Sequence, residues 1–471
     1  MKTKSTLPVW VLAATFIILL FSQCGQPIPP TGGPRDSIPP VLVKANPLDS
    51  GTNARPQKIV LEFNEYVQLQ NFQSQSVFNP ILKYIPQVEA KLKTVNIKIK
   101  DTLDDNTTYS IQFGNALQDI NESNILKNFS YVFSTGSFVD SGKISGRVLL
   151  AESGKIDSTM IVVLHKNLQD SAVKSFKPRY MSRVNGKGYF TFKYISPGTY
   201  NIYALKDADG GLKYDQESEY FGFIDQPVWI SDTTKPIKLY AFQEVPYFQK
   251  PKSSSSEKPA SNKDDKRLKY SLIAESGSID VNSDLQLSFE KKPATFDSSK
   301  LRLMDEKMEK NLPISIRLDS NMLRLSYRWE YGTKYRLLLE KGLATDTLGN
   351  AQLRNDTLKL ETKKETDYGS LTIRIQELDT TLNPVLQFYK AEELKFSTPA
   401  RKNRIDFKHI IPGDYEIRIL FDKNNNGKWD SGNYKKKIQP EIVLPREQKL
   451  SIKANWDNEM EINFSNVLNQ S

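Results

Sequence analysis

Ile195-Ser196-Pro197-Gly198-Thr199-Tyr200-Asn201-Ile202-Tyr203 and Ile410-Ile411-Pro412-Gly413-Asp414-Tyr415-Glu416-Ile417 are two versions of one phrase. In each, a Pro-Gly turn feeds a run that opens toward a tyrosine and then alternates polar with apolar residues. Proline presets φ for the first turn position and glycine accepts the positive φ that follows. The alternation is that of a half-buried strand. The match runs on without a gap, Asp207 answering Asp422 and Asp215 answering Asp430. A strand-turn-strand unit used twice is therefore the first inference.

Working outward, the same texture covers the rest of the chain. Lys58-Ile59-Val60-Leu61-Glu62-Phe63, Thr94-Val95-Asn96-Ile97-Lys98-Ile99-Lys100 and Tyr109-Ser110-Ile111-Gln112-Phe113 alternate, and Ser130–Thr135 closes that series. Lys143–Val148, Ile161–Leu164 and Gly188–Phe192 precede the first Pro-Gly phrase. Past a polar stretch containing Lys252-Ser253-Ser254-Ser255-Ser256-Glu257-Lys258-Pro259, Leu285–Phe289 answers Leu61-Glu62-Phe63, and Tyr335-Arg336-Leu337 answers Tyr109-Ser110-Ile111. Short strands separated by turn residues, with no convincing helical run, predict sandwiches. The 471 residues suit three to five domains at roughly 100–200 residues each. A hydrophobic share of 38% suits several small cores better than one large one.

The fold class expected is all-β: tandem β-sandwich domains in a duplicated pair after an N-terminal signal peptide. The boundaries expected are 1–23 for the signal peptide, 24–36 for a proline-rich tether, 37–138 and 139–246 for the first pair, 247–267 for a Ser/Lys-rich linker, and 268–364 and 365–471 for the second pair.

The N-terminus reads as an address. Lys2 and Lys4 precede the apolar run Val9–Phe21, which is shorter than the roughly 20 residues that span a bilayer. Phe21-Ser22-Gln23-Cys24 then resembles the lipobox of bacterial lipoproteins, in a loose form common in Bacteroidota; Phe21 and Gln23 depart from the usual leucine and small residue. The resemblance implies cleavage before Cys24 and lipidation of its thiol, hence a membrane anchor. Cys24 is the only cysteine, so no disulfide forms within the chain. The tether that follows carries Pro27, Pro29, Pro30, Pro34, Pro39 and Pro40, which stiffen it. In some lipoproteins of that group an acidic run after the lipid-bearing cysteine directs surface export. Gly25-Gln26-Pro27 stands here instead, which favours the periplasmic face of the outer membrane.

Two further resemblances follow from ordered motifs. Ile38-Pro39-Pro40-Val41, Asn46-Pro47, Leu61–Val67, Asn106-Thr107-Thr108-Tyr109 and Phe133-Ser134-Thr135 resemble the bacterial Ig-like domain of S-layer-type proteins. Lys143–Val148 through the Pro-Gly phrase is similar to the prealbumin-like sandwich of carboxypeptidase regulatory-like domains and collagen-adhesin B-type repeats. Both imply a structural or binding role in the envelope rather than a chemistry, with an envelope protein or a glycan as partner. The third segment lacks the opening Pro-Pro motif.

Asp422-Lys423-Asn424-Asn425-Asn426-Gly427-Lys428-Trp429-Asp430 has the spacing at which Asp422, Asn424, Asn426, the Lys428 carbonyl and Asp430 surround a calcium ion, with Gly427 at the sharp turn. It resembles the first part of an EF-hand-type loop, but Asn433 stands at the twelfth position and no helices flank it. A polar β-hairpin turn accounts for the same residues without a metal. The matching loop, Asp207–Asp215, keeps three acids with Leu212 at the turn position. Tyr214 and Trp429 occupy matching places and read as packing residues rather than as platforms for a sugar.

Charge and motifs narrow the function classes. Against 55 acids stand 65 Lys and Arg, a net +10 spread thinly, with Lys435-Lys436-Lys437 the strongest run. This does not make a nucleic-acid surface. A mildly basic face could touch anionic lipid headgroups or polysaccharide, though the balance reads first as ordinary solvation. Two histidines, His165 and His409, leave little for a Cys/His metal centre. Nucleophile-elbow, P-loop, HExxH and dinucleotide motifs are absent. The expectation is a non-enzymatic binding or structural lipoprotein; the alternative is a carbohydrate-binding accessory of a glycan-uptake system.

Overall fold

The computed structural model describes residues 35–245, 268–273, 278–352, 354–446 and 448–465. Cys24, the signal peptide, nearly all of the tether and the linker lie outside them. The chain is all-β, with single helical turns at Phe72–Gln75 and Ala172–Ser175. Among the described residues no helix is long and apolar enough to cross a membrane. The chain divides into two compact units, residues 1–140 and 141–471.

In the first unit, Lys58–Phe63 lies between Leu42–Asn46 and Thr94–Lys98, both antiparallel, with Gln87–Lys91 at the edge. A second sheet sets Thr108–Gly114 between Val77–Asn79 and Phe129–Ser134. Ile59, Leu61, Phe63, Val95 and Ile97 from one sheet meet Ile111, Phe113, Tyr131 and Phe133 from the other, all buried. The period-2 alternation places these residues on the inner faces.

The second unit opens with a three-stranded sheet in which Gly142–Leu150 runs antiparallel to Tyr189–Ile195 and parallel to Ile237–Ala241. Its partner sheet orders Tyr180–Arg183, Ile161–His165, Gly198–Leu205 and Phe221–Phe223, with Val228–Ile230 also on Gly198–Leu205. Residues 369–463 repeat this arrangement strand for strand. Gly369–Gln376 lies between antiparallel Arg404–Ile410 and parallel Asp457–Asn463, opposite Glu393–Pro399, Pro384–Lys390, Gly413–Phe421 and Ile442–Pro445. The Pro-Gly tyrosines do the same work in both copies. Tyr200 donates to the Ser196 carbonyl (2.8 Å) and Tyr415 to that of Ile411 (2.7 Å), tying strand to turn.

Between these copies, residues 268–362 repeat the pairing of the first unit. Leu285–Phe289 lies between Tyr270–Ile273 and Met322–Ser326. One clasp makes the likeness concrete. The Tyr109 hydroxyl accepts from the Asp104 amide (2.8 Å) and that of Tyr335 from the Glu330 amide (3.2 Å). The Thr135 hydroxyl accepts from Thr107 N and donates to Asp104 O, and Thr362 does the same with Thr333 and Glu330. The third segment thus keeps the inner wiring of the first without its Pro-Pro opening.

Candidate functional site

The loop that connects Gly413–Phe421 to Ile442–Pro445 is the chemically richest segment of the second unit. Its first half is closed by its own hydrogen bonds. The buried Asp422 carboxylate accepts from the amides of Asn426 (3.2 Å) and Gly427 (2.7 Å). Asn424 and Asn426 each turn their amide nitrogen to Asp430 Oδ2 at 2.7 Å. Asn426 Oδ1 accepts from Lys428 N. Gly427 takes φ +76°, and Leu212 at the matching place in the other copy takes +56°, a conformation costly for a side-chain-bearing residue. Glu441, which the motif did not reveal, braces the loop from below by accepting from Lys423 N (2.7 Å) and Asp430 N (3.1 Å). Its burial pushes its carboxyl above the usual range, and Asp422 and Asp430 add to that despite the two amides. As placed, the Asp422, Asn424, Asn426 and Asp430 side chains are committed to one another and to backbone N–H groups. No group of three or more His, Cys, Asp or Glu able to hold a metal occurs among the described residues.

The second half of the loop leaves its own sandwich. Tyr434, 4% exposed, inserts among Tyr203, Phe221 and Phe223 of the preceding copy, with ring centroids at 5.8, 4.9 and 5.2 Å. Its hydroxyl meets that of Tyr203 (2.9 Å) and donates to the Asp170 carbonyl (3.0 Å). Its amide and the Tyr214 hydroxyl both donate to the Glu244 carboxylate. Lys437 pairs with Asp170 at 2.6 Å while its ammonium lies 4.1 Å from the Tyr434 ring centre. Gln439 reaches Asp225 and the Phe223 carbonyl. Trp429 is half-buried on the same cluster and donates to the Glu441 carbonyl, while Tyr214 is buried and stacks on Phe221 at 4.1 Å. Both therefore pack against this aromatic cluster.

Two glycines let the copies approach. The Val443 amide donates to the Ala151 carbonyl at 2.7 Å, a backbone bond between sandwiches. A Cβ on Gly154 would lie 2.2 Å from Pro445 Cδ, and one on Gly432 2.6 Å from the Phe242 ring. Lys155 adds an ion pair to Glu392, which also holds Arg418 over the Tyr389 ring. The two copies consequently pack directly against each other within one compact unit. Sequence reasoning missed Tyr434 because it sits in a polar hairpin beside three lysines, where an isolated aromatic gives no periodic signal.

Beside this cluster, His165 is 2% exposed at the end of its strand, with Nε2 unpartnered and the ring edge-on to Tyr203 at 5.7 Å. Burial pushes its pKa down to about 4, so it is neutral at pH 7. The other histidine, His409, is held between Tyr331 and Tyr368 and lies 3.3 Å from Glu365.

A cleft of about 720 Å³ separates residues 278–286 from the last sandwich. Its walls mix Lys363, Lys390, Lys395 and Lys408 with Asp280, Asp284 and Glu393 over Phe396, Phe407 and Ile411. The nearest hydroxyl–acid pair, Tyr368 with Asp280 at 2.8 Å, is structural. Burial raises the Tyr368 phenol above its usual value, and its oxygen already accepts from the Val281 amide.

No curated protein matches the chain. Among solved structures, the Bacillus anthracis TIE protein aligns with 92% of this chain and 75% of its own length at 11% identity and a TM-score of 0.18. BcpA, the major pilin subunit of Bacillus cereus, aligns over 69% of this chain and 99% of its own at 8% identity and a TM-score of 0.17. The S-layer protein rSbsC(31-844) aligns over 90% and 54% at 10% identity and a TM-score of 0.16. Residues 36–135 match the family described as the bacterial Ig-like domain.

Proposed function

We propose that this chain is a non-enzymatic lipoprotein of the cell envelope, held to the membrane through Cys24, whose sandwiches present binding surfaces to an envelope protein or glycan. The observation that carries the reading is the Tyr434 lock. Two sandwiches joined by a buried aromatic plug, a backbone bond and an ion pair, within one compact unit, form a body suited to holding a surface in place. The match of residues 36–135 to the bacterial Ig-like domain and the lipobox-like Phe21-Ser22-Gln23-Cys24 support placement in the envelope. The periplasmic face of the outer membrane is the favoured location.

The test is the mass of the mature N-terminal peptide from membrane fractions, beside a Cys24→Ser control. The expected result is an acylated Cys24 peptide, lost together with membrane association in the control. An unmodified N-terminus cut elsewhere, with the protein in the soluble fraction, would overturn the anchor.

A further inference from the structure

The duplicated sandwiches differ sharply on one face. In the later copy, the outer face of the sheet made by Arg404–Ile410, Gly369–Gln376 and Asp457–Asn463 is internally neutralised. Arg374 pairs with Glu459 (3.2 Å) and Arg404 with Asp406 (3.0 Å). Thr372 donates to Asp406 (2.7 Å), Gln376 to Glu461 and Ser370 to Asp457. Each carboxylate on that face already has a donor beside it.

The earlier copy has the same strands and none of the acids. Gly142–Leu150, Tyr189–Ile195 and Ile237–Ala241 contain no Asp or Glu. Ile144, Phe190, Phe192 and Leu239 point inward, so the alternation turns Lys143, Ser145, Arg147, Tyr189, Thr191, Lys193 and Lys238 outward. Register aligns Tyr189, Arg147 and Lys238 in one row across the three strands, and Thr191 with Ser145 in the next. Arg147 lies over the half-exposed Tyr189 ring at 5.5 Å. Lys143 and Lys193 are exposed beyond Ser145 and Thr191. At a rise of about 3.3 Å per residue and about 4.8 Å between strands, this is a flat cationic field about 13 Å long.

We propose that this face is a docking surface for an acidic polysaccharide, one bearing carboxylates along its chain. The inference rests on the reading of the protein as a binding module and names the partner of that module. Charge complementarity is the first argument: Lys143, Lys193 and Lys238 stand on strands that carry no Asp or Glu, and a polyanion complements them while the sister face carries its own acids. The composition between the cations is the second. Ser145 and Thr191 supply hydroxyls, and Tyr189 offers ring surface, the groups that hydrogen-bond and stack on sugars. A face resting on lipid would gain from exposed aliphatic side chains, and these outward positions present none.

The experiment uses the full chain with polygalacturonate as probe, at low salt and again near physiological salt, since exposed charges are screened over about a Debye length of 8–10 Å. The face variant is Lys143→Glu/Lys193→Glu/Lys238→Glu. The control, Lys292→Glu/Lys307→Glu/Lys341→Glu, makes the same change in net charge at other exposed lysines. Three exposed pairings predict a roughly tenfold or greater loss in the face variant and a change within about twofold in the control. Tyr189→Ala weakens binding at unchanged charge, and a glutamine set repeats the comparison without adding carboxylates. Equal loss in both charge variants, no binding by the parent, or a face-dependent affinity for phosphatidylglycerol vesicles in place of polygalacturonate would each overturn the proposal. None of these readouts depends on Cys24, so failure of the anchor and failure of this site are separately visible.

Discussion

Replacing Tyr434 by alanine removes the plug between the two copies of the duplicated sandwich while leaving the inner face of each sandwich intact. A buried aromatic ring takes about 150–250 Å² out of water, worth at most about 4–6 kcal/mol at 25 cal/mol per Å². Measured aromatic-to-alanine losses in cores are about 3–5 kcal/mol. The Tyr203 hydroxyl, 2.9 Å away in the parent, also loses a partner. Taking the low end, the interface should open more easily by about 3 kcal/mol, which is roughly a hundredfold. Hydrogen exchange reads this directly, because the Val443 amide is bonded to Ala151 across the interface. Its protection is expected to fall by about two powers of ten, while strands distant from the interface, such as Leu285–Phe289, keep theirs. Tyr434→Phe, which retains the ring, should cost only about 1–2 kcal/mol. A change in Val443 protection of less than about threefold in the alanine variant, equivalent to under 1 kcal/mol, would refute the view that the plug holds the copies together.

Gly154→Ala should open the same interface by a different route, because the added Cβ meets Pro445 Cδ at 2.2 Å and φ is +64°; unchanged Val443 protection would contradict that geometry. Stability should fall as acid is added between the unfolded-state histidine value of 6.5 and about 4. In that window the unfolded chain binds a proton that buried His165 refuses, so the stabilisation is complete above the window and lost below it. Replacing His165 with leucine should flatten thermal stability over that range, and an unaltered profile would assign the acid response elsewhere. Calcium in the millimolar range should leave exchange in 422–441 unchanged, since the Asp422 and Asp430 carboxylates are engaged by N–H groups; protection that rises with calcium would show that the loop rearranges around an ion.

What could be read from the chain alone was local. Alternation in Thr94–Lys98 and the Pro-Gly phrases declared strands and turns because side-chain direction in a strand and φ at a turn are set by neighbouring residues. Duplication was legible for the same reason: the repeated residues, Tyr200 and Tyr415 above all, close contacts only four positions back in sequence. The calcium-like spacing was legible too, but spacing does not say whether an asparagine turns its oxygen or its nitrogen inward.

The tertiary structure alone decided which distant residues meet and which share a surface. Tyr434 sits in a stretch that reads as a solvated hairpin, and only the meeting of two sandwiches buries it, since that burial depends on residues far apart in sequence. Glu244 and Glu441 gain their roles the same way. The cationic face is likewise a matter of register. Lys143, Arg147, Lys193 and Lys238 are scattered along the chain, and strand pairing gathers them on one surface while setting Arg374 beside Glu459 on its twin.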